Sequence, residues 1–143
     1  MSSLTQERNT PQYGVDVIPQ LTNYPVAGGV IVYQGSIAVL TEGVATKGQP
    51  GAGFIALGRV EATVDNTTGA KGALRVPIRQ GVFRWGNSTG ADAISPNDVG
   101  SDCFIVDDQT LAKTNGGAAR SRAGKVVLVD PDGGVWVQIG IGL

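Results

Sequence analysis

A thiol at Cys103, adjacent carboxylates at Asp107-Asp108 and the run Asp130-Pro131-Asp132-Gly133 supply the groups that a nucleophile or a cation site would draw on. A cysteine nucleophile needs a base to form its thiolate. The chain has no histidine, which removes that base, the Ser-His-Asp arrangement and the imidazole ligand of most zinc and copper sites. The S-x-x-K spacing of a serine–lysine pair is also missing. Asp130 and Asp132 imitate the start of a calcium loop, but the twelfth position from Asp130 is Ile141, where an EF-hand requires a bidentate glutamate. The simpler readings are a hairpin turn at Asp130, a solvated turn at Asp107-Asp108, and a buried apolar residue at Cys103. Gly51-Ala52-Gly53 precedes the strand-like Phe54-Ile55-Ala56-Leu57, whereas phosphate-cradling glycines open a helix. The chain therefore reads as a protein without catalytic residues, metal or cofactor, and not as an enzyme.

The elements that carry these residues read as strands. Val60, Ala62 and Val64 alternate with Arg59, Glu61 and Thr63, and Leu74, Val76 and Ile78 alternate with Arg75, Pro77 and Arg79. Period two gives each run one apolar and one polar face. With the turn-rich Asp65–Gly72 between them, Leu57–Trp85 is predicted to be a long hairpin. Upstream, Val30–Tyr33 and Ser36–Leu40 read as a strand pair across Gln34-Gly35, and Ala45–Gly53 as a surface loop. The apolar phase shifts at Gly81, so Phe83 and Trp85 either swing into the core through a bulge or lie on the opposite face and bury against a partner. A second hairpin is predicted from Gly124–Val129 through Asp130–Gly134 to Val135–Leu143, with Trp136 on the face opposite Val135, Val137, Ile139 and Ile141.

Composition agrees. The 22 glycines in 143 residues are about twice the ~7% of average usage, which suits many turns. Close-spaced short strands without a helical stripe predict an all-β fold, a small antiparallel β-barrel or β-sandwich with an extended N-terminal arm. The net charge is −1 and no basic run exists to neutralise phosphates, so direct nucleic-acid binding is not expected. No apolar stretch approaches a membrane span, and the first eight residues lack the order of a signal peptide. One cysteine allows no internal disulfide. These features suit synthesis in the cytoplasm.

Residues 1–28 read as an extended arm and residues 29–143 as a single β domain. Pro11, Pro19 and Pro25 leave no room for a useful helix, and the sparse apolar residues are too few for a core. Such an arm orders on another surface, folds back as an edge strand, or stays a disordered tail.

Taken together, G-V-I-V-Y-Q-G-S-I-A-V-L, G-R-V-E-A-T-V-D-N-T-T-G-A-K-G-A-L-R-V-P-I-R-Q-G-V-F-R-W, D-C-F-I-V-D-D-Q-T-L-A, A-G-K-V-V-L-V-D and V-W-V-Q-I-G, behind an N-terminal arm, resemble the capsid decoration (cement) proteins of tailed bacteriophages. The resemblance implies a structural virion protein on the outer surface of the expanded head, made in the host cytoplasm. It would cement neighbouring major capsid proteins against internal DNA pressure, its partners being the major capsid protein and itself, as a homotrimer or a dimer. Tyr13, Val15, Val17, Ile18, Leu21 and Tyr24 are then the expected capsid contacts of the arm. Phe83, Trp85 and Trp136 are the expected core or oligomer aromatics. The competing class is a receptor- or glycan-binding β domain of a head fibre or tail accessory protein that stacks sugars on Trp85 or Trp136.

Overall fold

The computed structural model describes residue 3, residues 5–8 and residues 21–143. Among them the strands are β1 (Leu21–Pro25), β2 (Ile31–Val32), β3 (Ile37–Thr41), β4 (Val44–Lys47), β5 (Ile55–Val60) and β6 (Val64–Asp65). They continue as β7 (Arg75–Arg79), β8 (Gly81–Asn87), β9 (Asp102–Ile105), β10 (Thr110–Ala112), β11 (Arg122–Val129) and β12 (Val135–Ile139). The helical segments described are two 3-10 turns, Gly90–Asp92 and Pro96–Asp98.

The all-β expectation holds, and of the two architectures left open a closed barrel is present. Strands β10-β8-β12-β11-β9 close into it, while β1-β7-β5-β3-β4 form a separate five-stranded sheet and β2 pairs with β6. The named strands pair antiparallel except β10 with β8, where Thr110 opposite Gly86 and Leu111 opposite Asn87 seal the barrel in parallel. The sheet curls until Val26, just after β1, meets Ala45 of β4 at an isolated bridge.

Sheet and barrel share a wall. Ile37 and Val39 of β3 and Ala56 of β5 pack with the barrel residues Ile105, Leu111, Val126, Val135, Val137 and Ile139. Ala38 and Leu57, on the other faces of the same strands, pack with Val26, Val32, Ala45, Val60, Val76 and Ile78. A strand covered on both sides needs a continuous apolar run, and Ile37-Ala38-Val39 is such a run.

Several local expectations change. The long hairpin stops early: β5 meets β7 through Arg59 opposite Arg79 and Val60 opposite Ile78, and then the ladder ends. Pro77 explains this. The Glu61 N–H donates to the Pro77 carbonyl at 2.9 Å, but Pro77 has no N–H to return the bond. The chain leaves the sheet, Ala62 and Thr63 are exposed, and Val64-Asp65 pair with β2 instead. That takes β2 away from β3, which pairs with β4 across Glu42-Gly43. Val44, Ala45 and Thr46 are therefore a buried strand, where the sequence reading set a loop from Ala45.

At Gly81, with φ +153, the chain passes from sheet to barrel, and Val82 and Arg84 turn outward while Phe83 and Trp85 turn inward. The second hairpin forms, closed by Asp130 and Gly134 at 2.8 Å. Its last strand ends at Ile139, not at Leu143. Gly140 has φ +151, and Ile141 is exposed.

Candidate interaction surfaces

Of the capsid-contact candidates, Tyr13, Val15, Val17 and Ile18 lie outside the described residues. Leu21 and Tyr24, set on the arm by the sequence reading, belong to β1, paired opposite Arg79 and Val76 along the edge of the sheet. Val26 is fully buried behind them. Residues 21–28 are thus built into the folded body: β1 and the buried Val26 both lie ahead of residue 28.

The aromatics separate into three environments. Trp85 is 5% exposed, in the barrel core. Phe83 is half-buried where sheet meets barrel, edge-on to Trp85 with ring centres 6.2 Å apart and with the Arg59 guanidinium 4.3 Å from its own ring centre. Trp136 lies half-buried on the outside of the barrel, donating its Nε1–H to Asp130 Oδ2 at 3.0 Å. The enclosure of Trp85 removes it as a stacking platform.

The outer face of the barrel follows from its registers. Lys125, Gln138 and Val82 form one outward row across β11, β12 and β8, and Leu128, Trp136 and Arg84 form the next. Val126 opposes Val137 and Leu128 opposes Trp136, so Val127 is an extra residue in β11. The bulge turns Val127 and Leu128 outward together, 43% and 53% exposed. With Val82 and Trp136 they line an apolar groove of about 340 Å³. Exposed apolar residues scattered singly are ordinary, whereas a contiguous group marks an interaction surface.

One end of this face is pinned by the hairpin turn. Arg84 donates through Nε to Asp130 at 2.9 Å and through Nη2 to both Asp132 oxygens at 2.7 Å. The Gly134 N–H, and after it Arg84, hold the Asp132 carboxyl below its ordinary value. The two aspartates thus form a clamp on an arginine, which satisfies the hairpin-turn reading.

Beyond the clamp a cleft of about 490 Å³ opens between the end of β8, the loop to Ala93 and the turn at Asp132–Gly134. Asn87 braces the loop by accepting from the Ile94 N–H at 2.9 Å and donating to the Ile94 carbonyl at 2.8 Å. Trp85 lines this cleft, and its buried Nε1–H meets no acceptor among the described residues. Leaving such a donor unpaired costs roughly 1–3 kcal/mol.

Cys103 sits in β9 with no exposure, its thiol 3.6 Å from the Gly124 carbonyl. Burial pushes its pKa up to about 12, so the thiol is neutral and inert in the folded chain. Among the described residues no three of the His, Cys, Asp and Glu side chains converge as a metal site would require, and no helix is long and apolar enough to cross a membrane.

Sequence reasoning did not find the groove or the cleft. The groove had a signal, the unbroken Val126-Val127-Leu128-Val129 in a strand whose partner alternates cleanly. The cleft had none, because a closing loop and a turn 40 residues apart make it. No family model, no curated protein and no solved structure matches this chain.

Proposed function

We propose that this chain is a structural virion protein that binds the outer surface of an expanded bacteriophage head and cements neighbouring major capsid proteins. The observation that carries the reading beyond the sequence resemblance is the apolar groove of Val82, Val127, Leu128 and Trp136, left open on an outward barrel face. Burying four such side chains against another protein is favourable at about 25 cal/mol per Å² of apolar surface. A closed barrel presents no strand edge of its own there, so docking on this face is by side chains.

On this reading the sequence ahead of β1 serves as the arm, with Tyr13, Val15, Val17 and Ile18 as its proposed contact residues. An extended arm adds a strand to a neighbour's sheet edge and places alternate side chains in pockets. Assembly as a homotrimer or dimer multiplies these contacts through effective concentration, by roughly 10² to 10⁴ in avidity.

The test is co-sedimentation of the purified chain with expanded, undecorated capsids. Because Leu21–Pro25 and Val26 are structural, the truncated comparison ends at residue 20 and not at 28. Saturable binding by the full chain, weakened by the truncation and by Leu128→Asp, supports the reading. A full-length chain that stays in the supernatant defeats it.

A further inference from the structure

We propose that the groove of Val82, Val127, Leu128 and Trp136 is covered by the same groove of a second copy of this chain, so that two barrels pair isologously through their outer faces. The inference rests on the reading of this groove as a docking surface and names its occupant.

The charges bordering the groove carry the choice of partner. At the hairpin-turn end the Arg84 cation lies between two carboxylates, 2.9 Å from Asp130 and 2.7 Å from Asp132. Towards the other end the Asp102 carboxylate lies between two cations, 2.7 Å from Arg122 and 2.8 Å from Lys125. Each cluster therefore keeps one uncompensated charge, negative at the turn and positive at Lys125. The registers set the clusters at opposite corners of one face. Arg84 stands on β8 in the row of Leu128 and Trp136, and Lys125 stands on β11 in the row of Gln138 and Val82. The apolar groove runs between them, a dry centre with a charged rim, which is the anatomy of a protein–protein contact.

A twofold axis between two facing copies reverses one face against the other. With the axis running across the strands, the turn end of each copy lies over the Lys125 end of its partner, twice by symmetry, and groove meets groove at the centre. The face is thus its own complement in charge. The opposite direction would set like charges together, which fixes the orientation of the pair. Strand addition is excluded, because β12 at the middle of the face is already paired on both edges, with β11 and with β8.

Sedimentation velocity of the purified full chain over a dilution series tests the pairing. The expected result is a reversible dimer that Leu128→Asp converts to monomer and that added salt weakens. Lys125→Glu makes the positive end negative, and Asp132→Lys makes the negative end positive. Either variant alone sets like charges together at both ends and should raise the dimer dissociation constant roughly tenfold or more. Mixing the two opposes unlike charges at both ends and should restore a dimer, now of one variant with the other. Far-UV circular dichroism shows that each variant is folded; if Asp132→Lys is not, Leu128→Asp and Lys125→Glu still decide the outcome. A chain that is monomeric at every concentration overturns the proposal. So does a trimer, a dimer indifferent to Leu128→Asp, or a mixture of folded variants no more associated than its components. Capsid co-sedimentation judges the cement reading separately. A monomeric chain that binds capsids and loses that binding with Leu128→Asp keeps the cement reading and gives the groove to the capsid protein, which overturns the pairing. A dimer that stays in the supernatant keeps the pairing and defeats the cement reading.

Discussion

Ile37 and Ala38 are adjacent in β3, both completely buried, and belong to different cores: Ile37 faces the barrel and Ala38 faces the curled sheet. One strand is therefore the wall of both halves. Ile37→Ala should cost about 2–5 kcal/mol, by lost transfer energy and the cavity left behind. Urea unfolding followed by tryptophan fluorescence, which reports the barrel, and by far-UV circular dichroism, which reports all strands, should shift together. Separate midpoints would show that the shared wall does not couple the halves.

Glu42 sits at φ 50 and Gly43 at φ 79 in the two-residue turn between β3 and β4. Positive φ at both central positions defines the turn that favours Asn-Gly. Glu42→Asn should raise stability by up to about 1 kcal/mol, the scale of the left-handed penalty for an ordinary side chain. Gly43→Ala should lower it by a similar amount. Thermal melts of the two variants should move in opposite directions.

Asn66 ties the loop after β6 to the chain entering the sheet. Its Nδ2 donates to the Ala27 and Ala70 carbonyls at 3.0 Å, and it is 1% exposed. Asn66→Asp replaces a double donor with a carboxylate facing carbonyl oxygens, an uncompensated buried charge costing about 3–5 kcal/mol near neutral pH. Burial raises the folded pKa of that new acid above its unfolded value, so the penalty grows as pH rises past the unfolded value. Denaturation midpoints should show the variant recovering towards wild type as pH is lowered.

Asp102 accepts from Lys125 and Arg122, which together, Lys125 first, hold its carboxyl below the ordinary value of 3.8. A depressed folded pKa contributes stability that is present above 3.8 and is lost as pH falls through the folded value. The same sign holds for Asp92, held down first by the Thr114 hydroxyl and then by Arg120. Urea midpoints should fall on acidification below about pH 4, and Asp102→Asn should flatten that limb. The groups are partly exposed, so added salt should shrink the difference between wild type and variant; a salt-independent difference would contradict this account.

Cys103 should be silent to a thiol reagent such as DTNB in the folded chain and react fully in denaturant. With its pKa pushed up to about 12 and no exposure, the native reaction rate measures opening of β9 from the barrel. Val137→Ala, inside the same core, should accelerate that reaction, whereas rapid labelling of the unperturbed chain would place the thiol at the surface.

The strand content was legible because period-two alternation is local. The runs in β7 and, as far as Ile139, in β12, and the turn at Asp130–Gly134, stand where the alternation and the glycines put them. The phase change at Gly81 also announced itself, and the structure selects its inward option for Phe83 and Trp85. Pro77 was present to be read as a ladder stop, but its neighbours Val76 and Ile78 alternate so well that the pattern concealed the missing N–H.

An amino-acid pattern states which side chains share a face of a strand, and this was enough here for an all-β chain with inward Val135, Val137 and Ile139 and no histidine-based chemistry. It does not state which strand lies beside which, because pairing is decided between segments far apart in the chain. Tertiary structure alone paired β2 with β6, sealed the barrel through β8 and β10, and made β3 a wall between two cores. The same distant pairings decided the fates of the two tryptophans. Trp85 was enclosed with an unpaired N–H because β8 closes a barrel, and Trp136 was left at the rim of an open groove because nothing in the described chain covers that face.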